Sequence, residues 1–268
     1  MDMMPPAIRR GTQRHFFDGP GRADDAAVLA KLEVDYTPAA VAVQLLLALN
    51  ELAEIGGDPG RCLCPSAGSG VWARAMRAAF GQAPVIVGVD ARESERANLE
   101  AACDVAIIGD VTKPDTLGDF DNFGLVADNP PFSAFSSFWP GRLLDSGCLA
   151  SDAVVAFYGL SSWGQSADAA PHLARWSPSL QIRVGGRIAH RGGPAADARE
   201  YSLWVWYSVS GRPVGVDRRA GTLSRWPEWR TVQTAVMPAP LRCWDPSSVP
   251  GTFPIDPALV AEIRARYL

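Results

Sequence analysis

The run from Pro84 to Val89, PVIVGV, constrains this chain most. Its apolar residues follow one another without the alternation of a strand that faces water on one side. Both faces of such a strand must be covered, which calls for a sheet with helices packed above and below it. The neighbouring segments repeat the theme. Arg61 to Cys64 is short and apolar and runs into the glycine-rich PSAGSG, and Val71 to Phe80 is helical in pattern. Glu93 to Ala102 is helix-like, while Val105 to Ile108, Gly124 to Ala127 and Ala153 to Tyr158 read as further short strands. Repeated strand–loop–helix units predict an α/β domain with a mostly parallel sheet.

A helix is expected from Pro38 to Ile55, with Thr37 able to cap it and Pro38 suited to its first turn. After the α/β units the pattern changes. Leu180 to Ala189 and Tyr201 to Val209 read as a hairpin-like pair of strands appended to the parallel sheet. Residues 210 to 255 are rich in Pro, Trp and Arg and show no clear period, and Asp256-Pro257 opens a final helix. Three parts follow from this: an irregular N-terminal segment (1–30), the α/β domain (31–209) and a C-terminal extension (210–268) that is a candidate nucleic-acid contact region.

The chain has 268 residues, 47% of them apolar and 20% charged, which suits a globular core of this size. A net charge of -4 gives no global basic field, so a nucleic-acid partner needs a local patch. The five cysteines, Cys62, Cys64, Cys103, Cys148 and Cys243, have neither the even count of a disulfide framework nor the spacing of a zinc site. They are expected to be reduced and structural, with no metal bound. The N-terminal MDMMPPAIRR has no apolar signal core, and no run is long enough to span a membrane. The expected location is a reducing cytoplasm, in a bacterium or a phage-infected host cell.

Four features carry chemistry. Pro65-Ser66-Ala67-Gly68-Ser69-Gly70 lies between a predicted strand and a predicted helix. Its glycines permit a tight turn and close approach of a ligand to the backbone, and the helix amides beyond can hold a polar group. It lacks the Gly-Lys-Ser/Thr of a phosphate-binding loop, which argues against an ATPase. Asp90 ends PVIVGV about 20 residues later, where a carboxylate can accept from both hydroxyls of a ribose or simply cap the next helix. Asp110, after Ile107-Ile108-Gly109, is either an acceptor for an adenine amino group or a turn residue.

The fourth feature is Asp128-Asn129-Pro130-Pro131-Phe132, after a predicted strand. Consecutive prolines fix the backbone, remove two N–H groups and push the preceding residues to extended geometry. The Asn129 amide oxygen and the Pro130 carbonyl then suit the two donors of an exocyclic NH₂, and Phe132 supplies a flat wall for a base. The candidate catalytic residues are Asn129, Pro130, Phe132 and Asp128, the last also readable as a cap of the turn.

PSAGSG, Asp90, Asp110 and DNPPF in this order resemble the class I S-adenosylmethionine (SAM)-dependent methyltransferases that act on exocyclic amines. Tyr36-Thr37-Pro38, ahead of the glycine loop, is similar to a Thr-Pro of DNA N6-adenine methyltransferases, and Arg187 to Tyr207 is similar to the closing hairpin of small phage-type members. The resemblance covers residues 31 to 209. It implies a Rossmann-like fold with a seven-stranded, mostly parallel sheet and one antiparallel strand in the C-terminal hairpin. It implies SAM as cofactor, bound by Thr37, Pro38, Pro65, Ser66, Ala67, Gly68, Gly70, Asp90, Asp110 and Asn129. It implies methyl transfer to the N6 amine of adenine in DNA, with the base flipped onto Phe132. Methyltransferases of rRNA bases and of protein glutamine carry similar loops, and a SAM-binding module without catalysis is a further alternative. One position departs from the family: Cys64 stands where an acid facing the SAM ammonium is common.

Candidate nucleic-acid contacts are Arg183, Arg187, Arg191, Arg199, Arg218, Arg219, Arg225 and Arg230, interleaved late in the chain with Trp226 and Trp229. Trp204 and Trp206, two residues apart on one strand face, are expected in the core. His15, His172 and His190 are expected at the surface, without a catalytic role.

Overall fold

A computed structural model describes residues 37–81, 84–131, 135, 143–144, 146–167, 169–176, 178–185, 188, 199–209, 212–214, 233–237 and 255–267. The irregular N-terminal segment, residues 1–30, lies outside them. Helix α1 (Ala39–Ala53) precedes strand β1 (Arg61–Cys64), helix α2 (Val71–Phe80) and strand β2 (Val85–Asp90). A 3-10 turn at Glu93–Glu95 leads into α3 (Arg96–Ala102), followed by β3 (Val105–Ile108), β4 (Phe123–Asp128) and β5 (Leu149–Leu160). Helix α4 (Ala170–Arg175), β6 (Leu180–Val184), β7 (Tyr201–Val209), β8 (Arg212–Val214), β9 (Gln233–Met237) and α5 (Pro257–Tyr267) complete the described elements.

The sheet runs β3-β2-β1-β4-β5-β7-β6-β9, with β8 paired to β7. Strands β1 to β5 pair in parallel, and β7 runs antiparallel to β5, β6 and β8. The mostly parallel α/β sheet with an antiparallel strand in a late hairpin is therefore as expected. Among the described residues, two strands are added to the expected seven. The two additional strands, β8 and β9, are short, and β9 pairs in parallel with β6 within a stretch that carries no readable period.

The buried strands alternate between two clusters, as a period of two requires. Cys62, Cys64, Ile86, Leu125 and Ala127 face the side covered by α1, α2, α3 and α5. Leu63, Val87, Val89 and Val126 face an aromatic layer containing Phe135, Phe157, Trp163, Trp176, Trp204 and Trp206, and the register shift between Phe123 and Leu125 puts Phe123 on that side too. Trp204 and Trp206 are core residues, as their shared face implies. Both satisfy their indole N–H groups, Trp204 to the Leu160 carbonyl at 3.2 Å and Trp206 to the Trp176 carbonyl at 2.9 Å.

One boundary differs from expectation. Pro38 is the N-cap of α1 rather than its first residue, and no side chain caps the helix. The Pro38 carbonyl accepts from Val41 and Ala42, while the Thr37 hydroxyl accepts from the Trp72 indole at 3.3 Å, so Thr37 fastens α1 to α2 instead of capping. At the other end, α5 buries Leu259 and Ile263 in the same cluster as α1 and α2, and Arg264 donates to the Ala79 carbonyl at 3.3 Å. The described residues all belong to one compact unit.

Candidate active site

Strand order reverses at β1, whose neighbours are β2 on one side and β4 on the other. The crevice beyond the carboxyl ends of strands at such a switch point is where open α/β sheets bind ligands. The loop leaving β1, residues 65–70, and the loop leaving β4, which begins at Asn129, both emerge there.

The glycine loop is tightly folded. Ala67 N–H donates to the Val89 carbonyl at 2.8 Å and Gly70 N–H to the Ala67 carbonyl at 2.7 Å. Gly68 and Gly70 have φ of 52° and 75°, the left-handed region that favours glycine. A Cβ at Gly70 would also stand 2.5 Å from the Ala102 Cβ, so the glycine lets α2 start close against the end of α3.

Two aspartates hold this loop from either side. Asp90, at the end of β2, accepts from Gly68 N–H at 2.8 Å through Oδ2. Asp128, at the end of β4, accepts from Ser66 N–H at 2.6 Å and from the Ser66 hydroxyl at 3.2 Å through its own Oδ2. Its Oδ1 accepts from Asn129 N–H at 2.8 Å. Asp128 is 1% exposed and Asp90 5%.

The surroundings of the two acids differ. Arg92 donates to Asp90 Oδ1 through its backbone N–H and Nε, both at 2.9 Å, and to Oδ2 through Nη2 at 3.1 Å. Arg92 also pairs with the buried Glu95 at 3.3 Å. Burial pushes the Asp128 carboxyl up to about 7, against the hydrogen bonds from Ser66 and Asn129 that favour its charged form, and the nearby Asp90 charge pushes the same way as burial.

Of the remaining candidates, Asp110, Asn129, Pro130 and Pro131 follow the carboxyl ends of β3 and β4. Asp110 follows β3, and Gly109 N–H donates to the Asp90 carbonyl at 2.9 Å, joining the two strand ends. The Asp110 carboxylate accepts from Thr112 N–H at 2.9 Å and lies 3.9 Å from Lys113 Nζ, the pattern of a turn residue with its side chain 44% exposed. Pro130 is buried, and Asn129 and Pro131 are half-buried. Thr37 is joined to the first turn of α2 through the Trp72 indole. Phe132 lies outside the described residues.

Cys64 is fully buried, with its thiol 3.9 Å from the Met76 sulfur, and burial raises its pKa well above the ordinary thiol value. It therefore carries no charge at neutral pH. Burial likewise pushes the thiols of Cys62 and Cys103 up to about 12. Cys62, Cys64, Cys103 and Cys148 are free, as expected.

Sequence reasoning missed Arg92 and the reach of Asp128. An Asp-x-Arg at the end of a buried strand is a local signal that could have suggested the first. No local signal exists for the second, because Ser66 lies 62 residues from Asp128. Among the proposed nucleic-acid contacts, Arg183 is paired with Glu200 at 2.9 Å, and the Arg199 guanidinium lies 5.9 Å from the centroid of the Tyr201 ring. Arg187, Arg191, Arg218, Arg219, Arg225, Arg230, Trp226 and Trp229 lie outside the described residues, as do His15 and His190. His172 is in α4, where burial lowers its pKa. No helix among the described residues is long and apolar enough to cross a membrane.

No protein-family model matches the sequence, and no curated protein matches it. Solved structures do. A Listeria monocytogenes protein described as a candidate class I S-adenosylmethionine-dependent methyltransferase superposes with a TM-score of 0.51 at 12% identity, covering 90% of this chain and 73% of its own. The fold is that of the class I SAM-dependent methyltransferases. The methyltransferase subunit of a type I restriction-modification system from Streptococcus thermophilus gives a TM-score of 0.49 at 17% identity, over 68% of this chain and 46% of the subunit. The chain thus spans less than half the length of that subunit. A candidate RNA methyltransferase from Pyrococcus horikoshii gives 0.47 at 17% identity, over 70% of this chain and all of the other.

Proposed function

We propose that this chain is a SAM-dependent methyltransferase that acts on the N6 amine of adenine in DNA. The observation that carries the reading is the meeting of two loops at the switch point. The Ser66 amide of the glycine turn and the Asn129 amide of the Asn-Pro-Pro turn bond to one carboxylate, Asp128, at 2.6 and 2.8 Å. A donor held on the first loop and an amine held on the second would lie side by side.

SAM fits the residues present. Gly68 and Gly70 bring backbone close to a ligand, and the Ser69 hydroxyl is buried with no hydrogen-bond partner among the described residues. Asp90 ends β2 where an acceptor for a ribose diol is needed. Residues 67–70 would hold the methionine part, Asp90 the ribose and Asp110 the adenine edge, with Thr37, Pro38, Pro65 and Ser66 framing the loop. When bound, SAM supplies an electrophilic methyl group.

The chain's own residues then handle the acceptor. Asn129 offers its amide oxygen and Pro130 its carbonyl to the two N–H bonds of the amine. Accepting both bonds favours tetrahedral character at nitrogen and exposes its lone pair. The two prolines hold these acceptors in advance, so catalysis is orientation and electrostatic complementarity. Phe132 supplies the stacking face for a flipped base.

The test is mass spectrometry of nucleosides from DNA of cells expressing the chain, with labelled SAM offered to DNA, RNA and protein in parallel. N6-methyladenine in DNA is the expected product. N4-methylcytosine would move the target, since its amine makes the same demand, and label in rRNA or protein glutamine alone would sink the DNA assignment. Two observations favour a second reading, a degenerate SAM-binding module without catalysis: the uncharged Cys64 and the engagement of both Asp90 oxygens by Arg92, which both weaken the cofactor site. Absence of SAM binding by calorimetry would favour it.

A further inference from the structure

We infer that Asp128 is a positioning residue that locks the cofactor loop to the acceptor loop and so fixes the separation of donor and amine, a role that rests on the methyltransferase reading above. The geometry is specific. One carboxylate oxygen takes the Ser66 N–H and hydroxyl, and the other takes the Asn129 N–H. The side chain is 1% exposed, so water does not compete for either oxygen.

Asp90 provides the internal contrast. It also anchors the glycine loop, through Gly68, but its oxygens are shared with Arg92, on its own strand's loop. Asp90 therefore steadies one loop, whereas Asp128 joins two. The join transmits displacement efficiently, because the residues after Asn129 are Pro130 and Pro131, whose φ angles are fixed. A shift of the Asn129 amide carries the Asn129 and Pro130 acceptors with it.

Cys64 sharpens the role. The thiol at the end of β1 is neutral and packed on Met76, so it contributes no anion to this junction. Asp128, reaching across from the adjacent strand, supplies one. The ionisable groups facing it are Asp90 from β2, Cys64 from β1 and Cys103 from the segment after α3. Burial pushes its carboxyl up to about 7, so the state that accepts both amide bonds gains population as pH rises through neutrality.

The test compares Asp128→Asn with the unaltered chain by residue-resolved amide exchange and by transfer kinetics. The amide of the new side chain must turn an N–H toward one of the two backbone donors, so one bond is lost and the other weakened. Ser66 and Asn129 should lose exchange protection together while Gly68, held by Asp90, keeps its own. The kcat should fall about 10²-fold, the scale of a misplacement near 1 Å, with a much smaller change in SAM affinity. The rise of kcat near pH 7 in the unaltered chain should be missing from the variant. Unchanged exchange at the two amides, or unchanged kcat, overturns the lock.

Should Asp128→Asn fail to fold, exchange in the unaltered chain at about pH 5 and about pH 8 decides the matter. Joint loss of protection at Ser66 and Asn129 on the acid side, after correction for intrinsic rates, supports the lock, and no difference overturns it. If the two amides behave as expected but no substrate is methylated, the lock stands and the methyltransferase reading fails.

Discussion

The corner of the site at Asp90 and the corner at Asp128 flank the same strand and hold the same loop, yet they differ in what balances the charge. Asp90 is clamped by the Arg92 guanidinium, which Glu95 holds in turn. Among the described residues, Asp128 has only amide and hydroxyl donors and a second carboxylate nearby. A guanidinium beside a buried acid offsets part of the cost of taking the acid out of water. A buried acid held by neutral donors recovers less of that cost and titrates closer to neutrality. Two carboxylates doing similar structural work thus differ in their partners, and it is Asp128 that burial pushes up to about 7.

The largest expected effect tests the acceptor side. Asn129→Ala leaves the backbone amide that bonds Asp128 in place and removes only the side-chain acceptor. Its kcat should fall by about 10² to 10³-fold, the range for losing one preorganised hydrogen-bonding group. SAM affinity, read by calorimetry, should hardly change. Near-normal turnover would show that the Asp128 corner does not face the amine.

Asp90→Ala should do the reverse. It removes the proposed ribose acceptor and frees both Gly68 N–H and Arg92. Losing charged hydrogen bonds of about 1.5–3 kcal/mol predicts a weakening of SAM binding by roughly 10 to 100-fold. Unchanged affinity would mean that the Arg92 clamp has taken this acid out of ligand binding.

Gly70→Ala probes the scaffold common to both corners. The positive φ of 75° and the 2.5 Å approach to Ala102 should lower stability by about 1–3 kcal/mol, measured by urea unfolding. A neutral outcome would show that the start of α2 can move away from α3.

The remaining prediction is the pH dependence of stability. Asp128 has a folded-state pKa of about 7 against an ordinary 3.8, so between these values the folded chain binds more protons than the unfolded one. The stabilisation this gives is complete below about pH 4 and is lost as pH rises through about 7. Urea midpoints compared between pH 5 and pH 8 should show a decline on the alkaline side that Asp128→Asn reduces. The form of Asp128 that best holds the two loops is therefore the form that stabilises the fold less.

Much of the architecture was legible in local pattern. The unalternating PVIVGV became the buried strand β2, and the pair Trp204 and Trp206 entered one aromatic layer. Thr37 shows how such reading goes astray: its position before a helix suggested a cap, yet the Trp72 indole, 35 residues away, claims the hydroxyl. The strand β9 gave no signal, because a five-residue edge strand draws its hydrogen bonds from β6 and needs little pattern of its own.

The order of motifs along this chain settled by itself that glycine loop, Asp90 and Asn-Pro-Pro turn follow strands of an α/β sheet, since β-branched runs, glycines and prolines act through bonds to near neighbours. Tertiary structure alone decided which carboxylate is paired with a cation and which joins two loops. Those outcomes depend on burial and on partners 62 residues apart, and the dielectric surroundings of a side chain are set by the whole packed sheet rather than by the residues beside it.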